Sequence, residues 1–325
     1  MKYTIFGESH GPCIGVTLTG VPFGIEVDTD FLASELARRA PGASPLSTSR
    51  CESDAFTILS GVYEGKTTGT PLTAVIPNTD THSKDYGNLL ETPRPSHGDY
   101  AGTVRYGGCN DPRGGGHFSG RLTAPLVFAG GLAKLILAES GVTVTAGIDA
   151  VGGVVSPTEA QLAEVILAAK NDGDSVGGVI SCAISGLPAG LGDPDLDCNA
   201  EGIFARHLFA IPAVKGVEFG DGFALAALRG SEANDPFCMK NGVVATQTNR
   251  SGGVNGGITN GMPLTFRAAF RPTPSIAKAQ KTVNLVTQTE TTLSVSGRHD
   301  PCIVPRAVVV VESAAALAAL ELFGI

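Results

Sequence analysis

Four histidines occur in glycine-rich or proline-rich polar stretches, where an imidazole could reach a ligand. They are His10 in FGESHGP, His97 in RPSHGDYAG, His117 in GGGHFSG and His299 in GRHDPC. An imidazole titrates near neutral pH and can act as a general acid or base. A single loop histidine is more often a surface residue, but four in such settings favour a catalytic site. No HExxH or HxH spacing is present, which argues against a metal centre.

Seven arginines form a second group of candidate ligand-binding residues. They are Arg38, Arg39, Arg50, Arg94, Arg121, Arg271 and Arg298. A guanidinium group pairs through two hydrogen bonds with phosphate or carboxylate, so these residues together predict a small ligand with several negative charges. Taken singly, an arginine more often lies on the surface or forms a structural ion pair than binds a ligand. Arg38 in particular fits the polar face of a helix.

Glycine and proline are concentrated in polar loops. The chain has 43 glycines and 20 prolines, and the richest runs are PRGGGHFSGR at 112–121, GLPAGLGDP at 186–194 and NRSGGVNGGITNG at 249–261. Glycine permits positive φ angles and close approach of the backbone, so such loops can bind anions through their N–H groups. They can equally be tight turns. Both interpretations remain open for each run.

The overall composition excludes several classes of partner. The chain of 325 residues is 42% hydrophobic and has a net charge of -8, without a long run of Lys or Arg. This balance argues against binding to nucleic acid or to an anionic membrane. The seven cysteines are scattered and form no CxxC pair, so we expect neither a disulfide framework nor a zinc cluster, and a reducing, cytoplasmic location. The longest apolar stretches, 124–138 and 307–325, contain Lys or Glu, which indicates buried elements.

Hydrophobic periodicity predicts a mixture of helices and strands. Helical spacing occurs at 30–40, 122–141, 159–173 and 312–323, and β-rich runs occur at 13–20, 72–77, 177–185, 263–270 and 303–311. Because the strands do not alternate regularly with helices, an α+β fold is favoured over a doubly wound parallel sheet. The segments GVTLTGVPFGI and GVISCAISGLPAGL share a strand-then-glycine-proline pattern, a weak indication of an internal pseudo-two-fold repeat.

The longer motifs resemble, in content and order, those of the chorismate synthase family. FGESHG is followed by GTPLTAVIPNTD, RPSHGDYAG, RGGGHFSGR, GDSVGG, SGGVNGGITNGMPLTFRAAFRPTPSI and GRHDPCIVPRA. The resemblance covers nearly the whole chain. Since matching segments near Gly7 and Asp300 would serve one site, it implies a single domain over 1–325, whereas length alone suggests about two domains.

The resemblance implies a fold, an assembly and a reaction. The fold is an α+β sandwich with helices between antiparallel sheets, assembled as a homotetramer. The reaction is the 1,4-anti elimination of phosphate from 5-enolpyruvylshikimate 3-phosphate, which gives chorismate in the shikimate pathway of aromatic amino acid biosynthesis. Such an enzyme is a carbon–oxygen lyase that requires reduced FMN without net redox change. NADPH would serve only indirectly, through an external flavin reductase, because no GxGxxG motif stands between a strand and a helix.

The resemblance also implies roles for individual residues. His10 would donate a proton to the reduced flavin, and His97 would face the substrate phosphate as general acid or electrostatic stabiliser. Asp300 would lie near flavin N5 and help to take the substrate hydrogen through the flavin. The implied substrate-binding residues are Ser9, Arg39, Arg50, Arg94, Ser119, Arg121 and Arg298. The implied flavin-binding residues are His117, Phe118, Ser119, Glu232, Ala233, Gly256, Arg271, Pro272, Thr273, Pro274, Ser275 and Arg298.

Six positions depart from the pattern of the family, and one of them, Arg271 in place of a lysine, keeps its charge. Pro45 stands where a substrate-facing arginine is frequent, and His117 and Phe118 replace Arg-Ser after the triple glycine. Leu122 replaces a frequent glutamate, and Pro274 replaces a serine in the expected flavin loop. These changes put the strength of flavin binding and the choice of substrate in question.

Two other classes of function fit the same residues. A flavin-independent phosphate lyase or phosphotransferase could use the arginines and glycine loops, and it would release phosphate without a reductant. A non-catalytic anion-binding module would bind ligand without turnover and would tolerate replacement of His10, His97 and Asp300.

Overall fold

The structure is a computed structural model, and it describes residues 1–42, 46, 52–80, 89, 91–295 and 299–325. The N-terminal part of the chain forms a four-stranded antiparallel sheet in the order β1-β2-β6-β3. Its strands are β1 (Lys2–Gly7), β2 (Cys13–Thr19), β3 (Thr57–Ser60) and β6 (Leu72–Pro77), and the small hairpin β4 (Val62–Tyr63) and β5 (Lys66–Thr67) lies between β3 and β6 in sequence. Ile14 faces Ile76 across β2 and β6, and alternate residues of both strands are buried.

A second antiparallel sheet has five strands in the order β10-β15-β9-β7-β8. These strands are β7 (Thr143–Val151), β8 (Val154–Val155), β9 (Gly178–Ser185), β10 (Val214–Phe219) and β15 (Leu264–Phe270). Side chains alternate along β15, where Leu264, Phe266 and Ala268 are buried and the intervening residues are more exposed. One face of the sheet therefore covers the core.

Two long helices, Thr123–Ala138 and Val304–Leu322, fill the space between the two sheets. The described α-helices are α1 (Thr29–Arg39), α2 (Asp99–Tyr106), α3 (Thr123–Ala138), α4 (Glu159–Asn171), α5 (Ala200–Phe209), α6 (Gly230–Ala233) and α7 (Val304–Leu322). Helix α3 packs on β2 and β6, α7 packs on β7 and β9, and the two helices pack on each other. At their crossing a Cβ atom on Gly130 would lie 2.1 Å from Cβ of Ser313, so only glycine allows this approach. The predicted α+β sandwich is confirmed.

Short hairpins complete the described part of the chain. They are β11 (Phe237–Lys240) with β12 (Val243–Thr246), β13 (Val254–Asn255) with β14 (Ile258–Thr259), and β16 (Gln280–Asn284) with β17 (Thr289–Leu293). The glycine-rich segment at 249–261 thus contains a tight hairpin, with Gly256 and Gly257 at positive φ in its turn.

The prediction of a strand at 303–311 is wrong. These residues form the first turns of α7, which continues without a break to Leu322 and contains the predicted C-terminal helix. The valine run favours a strand by intrinsic propensity, but β-branched residues cost a helix only tenths of a kcal/mol each, by order of magnitude. Burial of Val309, Val310 and Val311 in the helical layer outweighs that cost, and Pro305 is compatible with the first turn.

Gly120–Ala138 has the length and hydropathy of a membrane-spanning helix, but most of it is buried inside the fold, as is typical of a core helix.

Arg38 donates to Glu35 at 2.7 Å and to both carboxylate oxygens of Glu312 at 2.7 and 2.9 Å. Arg38 therefore forms a structural ion-pair cluster on α1 and α7.

Candidate active site

The FGESHGP loop packs against the triple-glycine loop. Ser9 is fully buried, and its backbone N–H donates to the carbonyl of Gly116 at 3.1 Å. Gly114, Gly115 and Gly116 all have positive φ angles. A Cβ atom on Gly114 would lie 2.5 Å from Nε2 of His10 and 3.0 Å from Oγ of Ser9. The glycines are thus required both for the backbone conformation and for the close approach of His10.

Asn78, just after β6, connects this loop to Arg121. Its Nδ2 donates to the carbonyls of Glu8 and Gly11 at 3.0 and 2.9 Å, and its Oδ1 accepts from Nε of Arg121 at 3.1 Å. The side chain of Asn78 therefore fixes the turn that carries His10 relative to the guanidinium of Arg121. Glu8 contributes to this turn through its backbone carbonyl.

Two of the predicted ligand arginines share one buried carboxylate. Nε of Arg39 donates to Oδ2 of Asp54 at 2.7 Å, and Nη1 of Arg121 donates to Oδ1 of the same residue. Nη2 of Arg121 also lies 3.7 Å from Oε2 of Glu52. All four side chains are at least 95% buried. The shared carboxylate holds both guanidinium groups in fixed positions. It offsets only part of the effect of burial on Arg39, which lowers the pKa of this residue to about 10.

A second ion-pair network surrounds His97. Asp99, in the first turn of α2, accepts from Nε and Nη2 of Arg94 at 2.7 Å each, and lies 2.6 Å from Nδ1 of His97. Nη1 of Arg94 donates to Oγ of Ser275 at 3.0 Å. The network therefore joins the RPSHGD segment to the RPTPS segment, which are far apart in sequence.

Asp300 pairs with Arg306 in the first turn of α7. Nη1 of Arg306 donates to Oδ2 of Asp300 at 2.5 Å, and its Nε donates to the backbone carbonyl of Arg39 at 2.9 Å. Arg306 thereby connects the loop that carries Asp300 to the end of α1.

These groups surround one cleft with a volume of about 240 Å³. Its lining includes the predicted site residues Arg39, Arg94, His97, Phe118, Ser119, Arg121, Arg271, Thr273, Pro274, Ser275 and Asp300, together with His299 and Arg306. Within the described part of the chain, five arginines and a single carboxylate line this cleft. Ser9 and His10 lie directly behind Gly114, which is part of the wall.

Arg271 and Thr273 carry buried polar atoms without a hydrogen-bond partner among the described residues. Among the residues that the structure describes, nothing forms a hydrogen bond with Nε of Arg271 or Oγ1 of Thr273. The backbone N–H of Arg271 donates to the carbonyl of Ala213 at 3.0 Å, so its position is fixed. Burial lowers the pKa of Arg271. Since an unpaired buried polar atom is costly, both atoms suit a bound anion.

Several predicted residues lie elsewhere. In the described structure Glu232, Ala233, Gly256, His117 and Pro272 are not part of the cleft wall. Glu232 instead accepts from the backbone N–H of Arg229 at 3.0 Å and caps α6. Arg50, Arg298 and the departure at Pro45 lie outside the residues that the structure describes.

The remaining departures have structural explanations. Nδ1 of His117 lies 2.9 Å from the carbonyl of Gly7, at the start of the FGESHGP loop. Phe118 lies against α2, where a Cβ atom on Gly102 would be 2.5 Å from its ring. Leu122 is buried in the hydrophobic core. Pro274 lines the cleft, and its carbonyl accepts from Nε2 of Gln280 at 3.2 Å.

Three charged residues of this site were not predicted from the sequence. Asp54, Asp99 and Arg306 form the ion pairs that position its arginines, His97 and Asp300. Asp99 and Arg306 stand in the motifs RPSHGDYAG and GRHDPCIVPRA, and Asp54 stands four residues after the predicted ligand Arg50. Proximity to a motif was thus the available signal, but only the fold shows which partner each charge meets.

The α+β sandwich carries a single cleft of arginines, a histidine pair and one carboxylate among its described residues, a lining suited to a small, multiply charged anion. The family model described as "Chorismate synthase" matches residues 1–323. A relative from Thermococcus kodakarensis named "Chorismate synthase" is 48% identical, with 97% of this chain and 94% of the relative covered. A second, from Dehalococcoides mccartyi, is 45% identical, with 96% and 92% covered. A solved structure, "Crystal Structure of Chorismate Synthase", is 26% identical with a TM-score of 0.73 and covers 98% of this chain and 90% of its own.

The chain therefore belongs to the chorismate synthase family, whose members are lyases of the shikimate pathway.

Proposed function

We propose that this protein eliminates phosphate from 5-enolpyruvylshikimate 3-phosphate by a 1,4-anti elimination, giving chorismate, with reduced FMN bound in the same cleft. The observation that carries the proposal is the convergence of five arginines, His97 and Asp300 on one cavity in a chain of net charge -8. The substrate has two carboxylates and a phosphate, and each can pair with guanidinium groups.

Flavin binding is supported by Arg271 and Thr273. Their unpartnered buried atoms stand in the RPTPS segment, close to Ser275, whose Oγ accepts from Arg94. A phosphate-bearing cofactor would satisfy both atoms. When bound, reduced flavin supplies the transient electron donation that loss of a poorly acidic C–H requires, without net redox change.

The side chains of the cleft have distinct proposed tasks. Arg39 and Arg121, fixed by Asp54, hold the substrate anions and stabilise the charge that develops on the departing phosphate. His97 gives a proton to that phosphate, and Asp300, oriented by Arg306, accepts the proton that leaves the substrate carbon. His10 holds a proton behind Gly114, on the proposed cofactor side.

Further proposals concern organisation and environment. We propose that 1–325 is one domain, because one hydrophobic core contains residues of both sheets and of the helices between them. A reducing, cytoplasmic setting is supported by the free thiols of Cys13, Cys109, Cys182, Cys198, Cys238 and Cys302. A homotetramer, and flavin reduction by an external reductase that draws on NADPH, are proposed from family membership.

The decisive experiment is anaerobic turnover of 5-enolpyruvylshikimate 3-phosphate with FMN, in parallel with and without dithionite. Phosphate and chorismate are measured together. Equal amounts of both products, formed only with the reductant, are expected. Phosphate release without reductant would assign the protein to a flavin-independent lyase or transferase, and binding without turnover would leave an anion-binding module.

Replacement of the proposed catalytic residues tests their roles. We expect His10→Ala and Asp300→Ala to fold normally and to lose most turnover. His299→Gln is the informative comparison, since His299 lines the same cleft without a proposed proton-transfer role. Near-wild-type rates in either catalytic variant would remove that residue from the mechanism.

A further inference from the structure

We propose that Asp99 is a positioning residue for His97: it accepts the Nδ1–H of the imidazole and thereby directs Nε2 into the cleft as the proton-transferring atom. The inference deepens the proposed function and rests on it for the identity of the reaction. The hydrogen bond between Nδ1 of His97 and Asp99 can be tested without assuming that reaction.

The carboxylate of Asp99 is held rigidly. Its Oδ2 accepts from the backbone N–H of Arg94 at 3.0 Å and from Nε of Arg94 at 2.7 Å, and its Oδ1 accepts from Nη2 of Arg94 at 2.7 Å. Burial raises the pKa of Asp99, but the hydrogen bonds from Arg94 and His97 outweigh burial and hold this pKa well below its usual range. Asp99 is therefore an ionised acceptor in fixed orientation.

Two contacts compete for Nδ1 of His97. This nitrogen lies 2.6 Å from Oδ1 of Asp99 and 3.0 Å from Nη2 of Arg94. It can donate to the carboxylate or accept from the guanidinium, but it cannot do both, because a ring nitrogen either carries a proton or presents a lone pair. The shorter distance and the negative charge of the acceptor favour donation to Asp99.

The other edge of the imidazole then faces the cleft. A Cβ atom on Gly115 would lie 3.2 Å from Cε1 and 3.3 Å from Nε2 of His97, and His97 is part of the cleft wall. With Nδ1 committed to Asp99, Nε2 is the nitrogen left to exchange a proton with a ligand. A carboxylate behind a catalytic imidazole fixes its tautomer and orientation in this way.

Arg94 serves the same arrangement. Four hydrogen bonds of Arg94 hold the carboxylate in place. The guanidinium donates two and the backbone N–H donates one to the Asp99 side chain, and Nη1 donates one to Ser275. Arg94 is only 5% exposed. Its guanidinium is thus committed mainly to supporting Asp99.

A double-mutant cycle separates positioning from general stabilisation. Asp99→Asn should lower kcat about 10- to 100-fold and change KM by less than about threefold. The expected loss is part of the roughly 10²- to 10⁴-fold that a general acid contributes to the rate. In a His97→Ala background the same substitution should lower kcat by less than about twofold, because the group it positions is absent. Equal losses in both backgrounds, or a loss expressed mainly in KM, would overturn the inference.

Glu321→Gln is the matched control. Glu321 also joins a histidine and an arginine, since it lies 2.8 Å from Nε2 of His207 and pairs with Arg206, but it is not part of the described cleft wall. We expect Glu321→Gln to leave kcat and KM unchanged. A loss of kcat in this variant equal to that of Asp99→Asn would indicate a general structural effect and would contradict the positioning role.

Nitrogen-15 spectra of ring-labelled histidine test the geometry without turnover. His97→Gln assigns the His97 signals by difference. In the wild-type protein Nδ1 should carry a proton across pH 6–9, and in Asp99→Asn the proton should move to Nε2. A wild-type His97 with unprotonated Nδ1 would overturn the inference even if Asp99→Asn failed to fold. If Nδ1 of His97 is protonated in the wild-type protein but the protein shows no turnover, the proposed reaction is rejected instead.

Discussion

Nη1 of Arg306 lies 2.5 Å from Oδ2 of Asp300. The same guanidinium donates through Nε to the carbonyl of Arg39, the last residue of α1. A residue proposed to accept a proton and a residue proposed to bind the substrate are therefore held by one side chain. Since α7 is anchored in the core, this contact places the loop with Asp300 relative to the rest of the cleft.

Arg306→Gln should lower kcat about tenfold or more while the protein remains folded, because Asp300 loses its charged partner and its fixed orientation. Steady-state kinetics with reduced FMN give the measurement. Arg267→Gln is a suitable control, as Arg267 is a half-exposed arginine that pairs with Asp149 and Glu218 on the second sheet. An Arg306→Gln enzyme with the wild-type kcat would show that Asp300 needs no such support.

Gly114→Ala should damage the site far more than the size of a methyl group suggests. Gly114 has a φ of 59°, and its Cβ would lie 2.5 Å from Nε2 of His10. We expect a loss of stability of about 1–3 kcal/mol and a large fall in turnover, because His10 must move.

Gly147→Ala is the matched control for that change. Gly147 lies in β7 with nothing within 4 Å of its Cβ position and without a positive φ. Thermal unfolding and turnover should both remain near wild type. If the two alanine variants behaved alike, the close packing of His10 on the triple-glycine loop would have no role in activity.

Thr273→Val should weaken ligand binding without lowering the stability of the fold. Removal of the unpaired Oγ1 should leave the free energy of unfolding unchanged or raise it, since no protein hydrogen bond is lost among the described residues. Binding of reduced FMN should weaken about threefold to tenfold, as expected for one lost hydrogen bond. Anaerobic fluorescence titration and urea unfolding measure the two effects.

Thr67→Val provides the contrast. Oγ1 of Thr67 donates to the carbonyl of Pro22 at 2.6 Å and accepts from the N–H of Ile25 at 3.0 Å. This variant should lose about 1–3 kcal/mol of stability and bind flavin normally. Unchanged flavin affinity in Thr273→Val would mean that the hydroxyl does not contact the cofactor.

Local sequence signals predicted the elements that carry strong periodicity. The helix at 30–40 is confirmed as α1, where Asp28 accepts from the N–H of Phe31 at 2.8 Å as an N-cap. The strand at 13–20 is confirmed as β2 in the first sheet. At 303–311 the predicted strand is wrong, because the valine run carries no information about the helical layer that buries it. The internal repeat stays a prediction.

The candidate site was predictable as a set of residue types but not as a set of partners. The motifs pointed to Arg39, Arg121 and His97, whereas the carboxylates that fix them, Asp54 and Asp99, have no periodic or compositional mark. An ion pair depends on which chain segments the fold brings together. Arg39 and Asp54 are 15 residues apart, and Asp54 meets Arg121 across 67 residues.

The pH dependence of stability should contain a contribution from His207. This side chain is buried between Glu321, Tyr3, Arg206 and the N-terminal amine. Burial lowers its pKa below the ordinary value of 6.5, and this effect exceeds the opposing one of Glu321. Because the unfolded chain binds the proton more readily, the free energy of unfolding should fall as the pH drops below 6.5, until the folded state also becomes protonated.

Urea unfolding of the wild type and of His207→Gln, at several pH values from 7.5 to 5, checks this expectation. The variant should show a smaller decline below pH 6.5, because position 207 no longer carries an imidazole with a lowered pKa. Glu321 has a lowered pKa, so its contribution is lost only at pH values below its ordinary 4.5, outside this window. Parallel curves for the two proteins between pH 7.5 and 5 would show that His207 binds its proton equally well in the folded and unfolded chains.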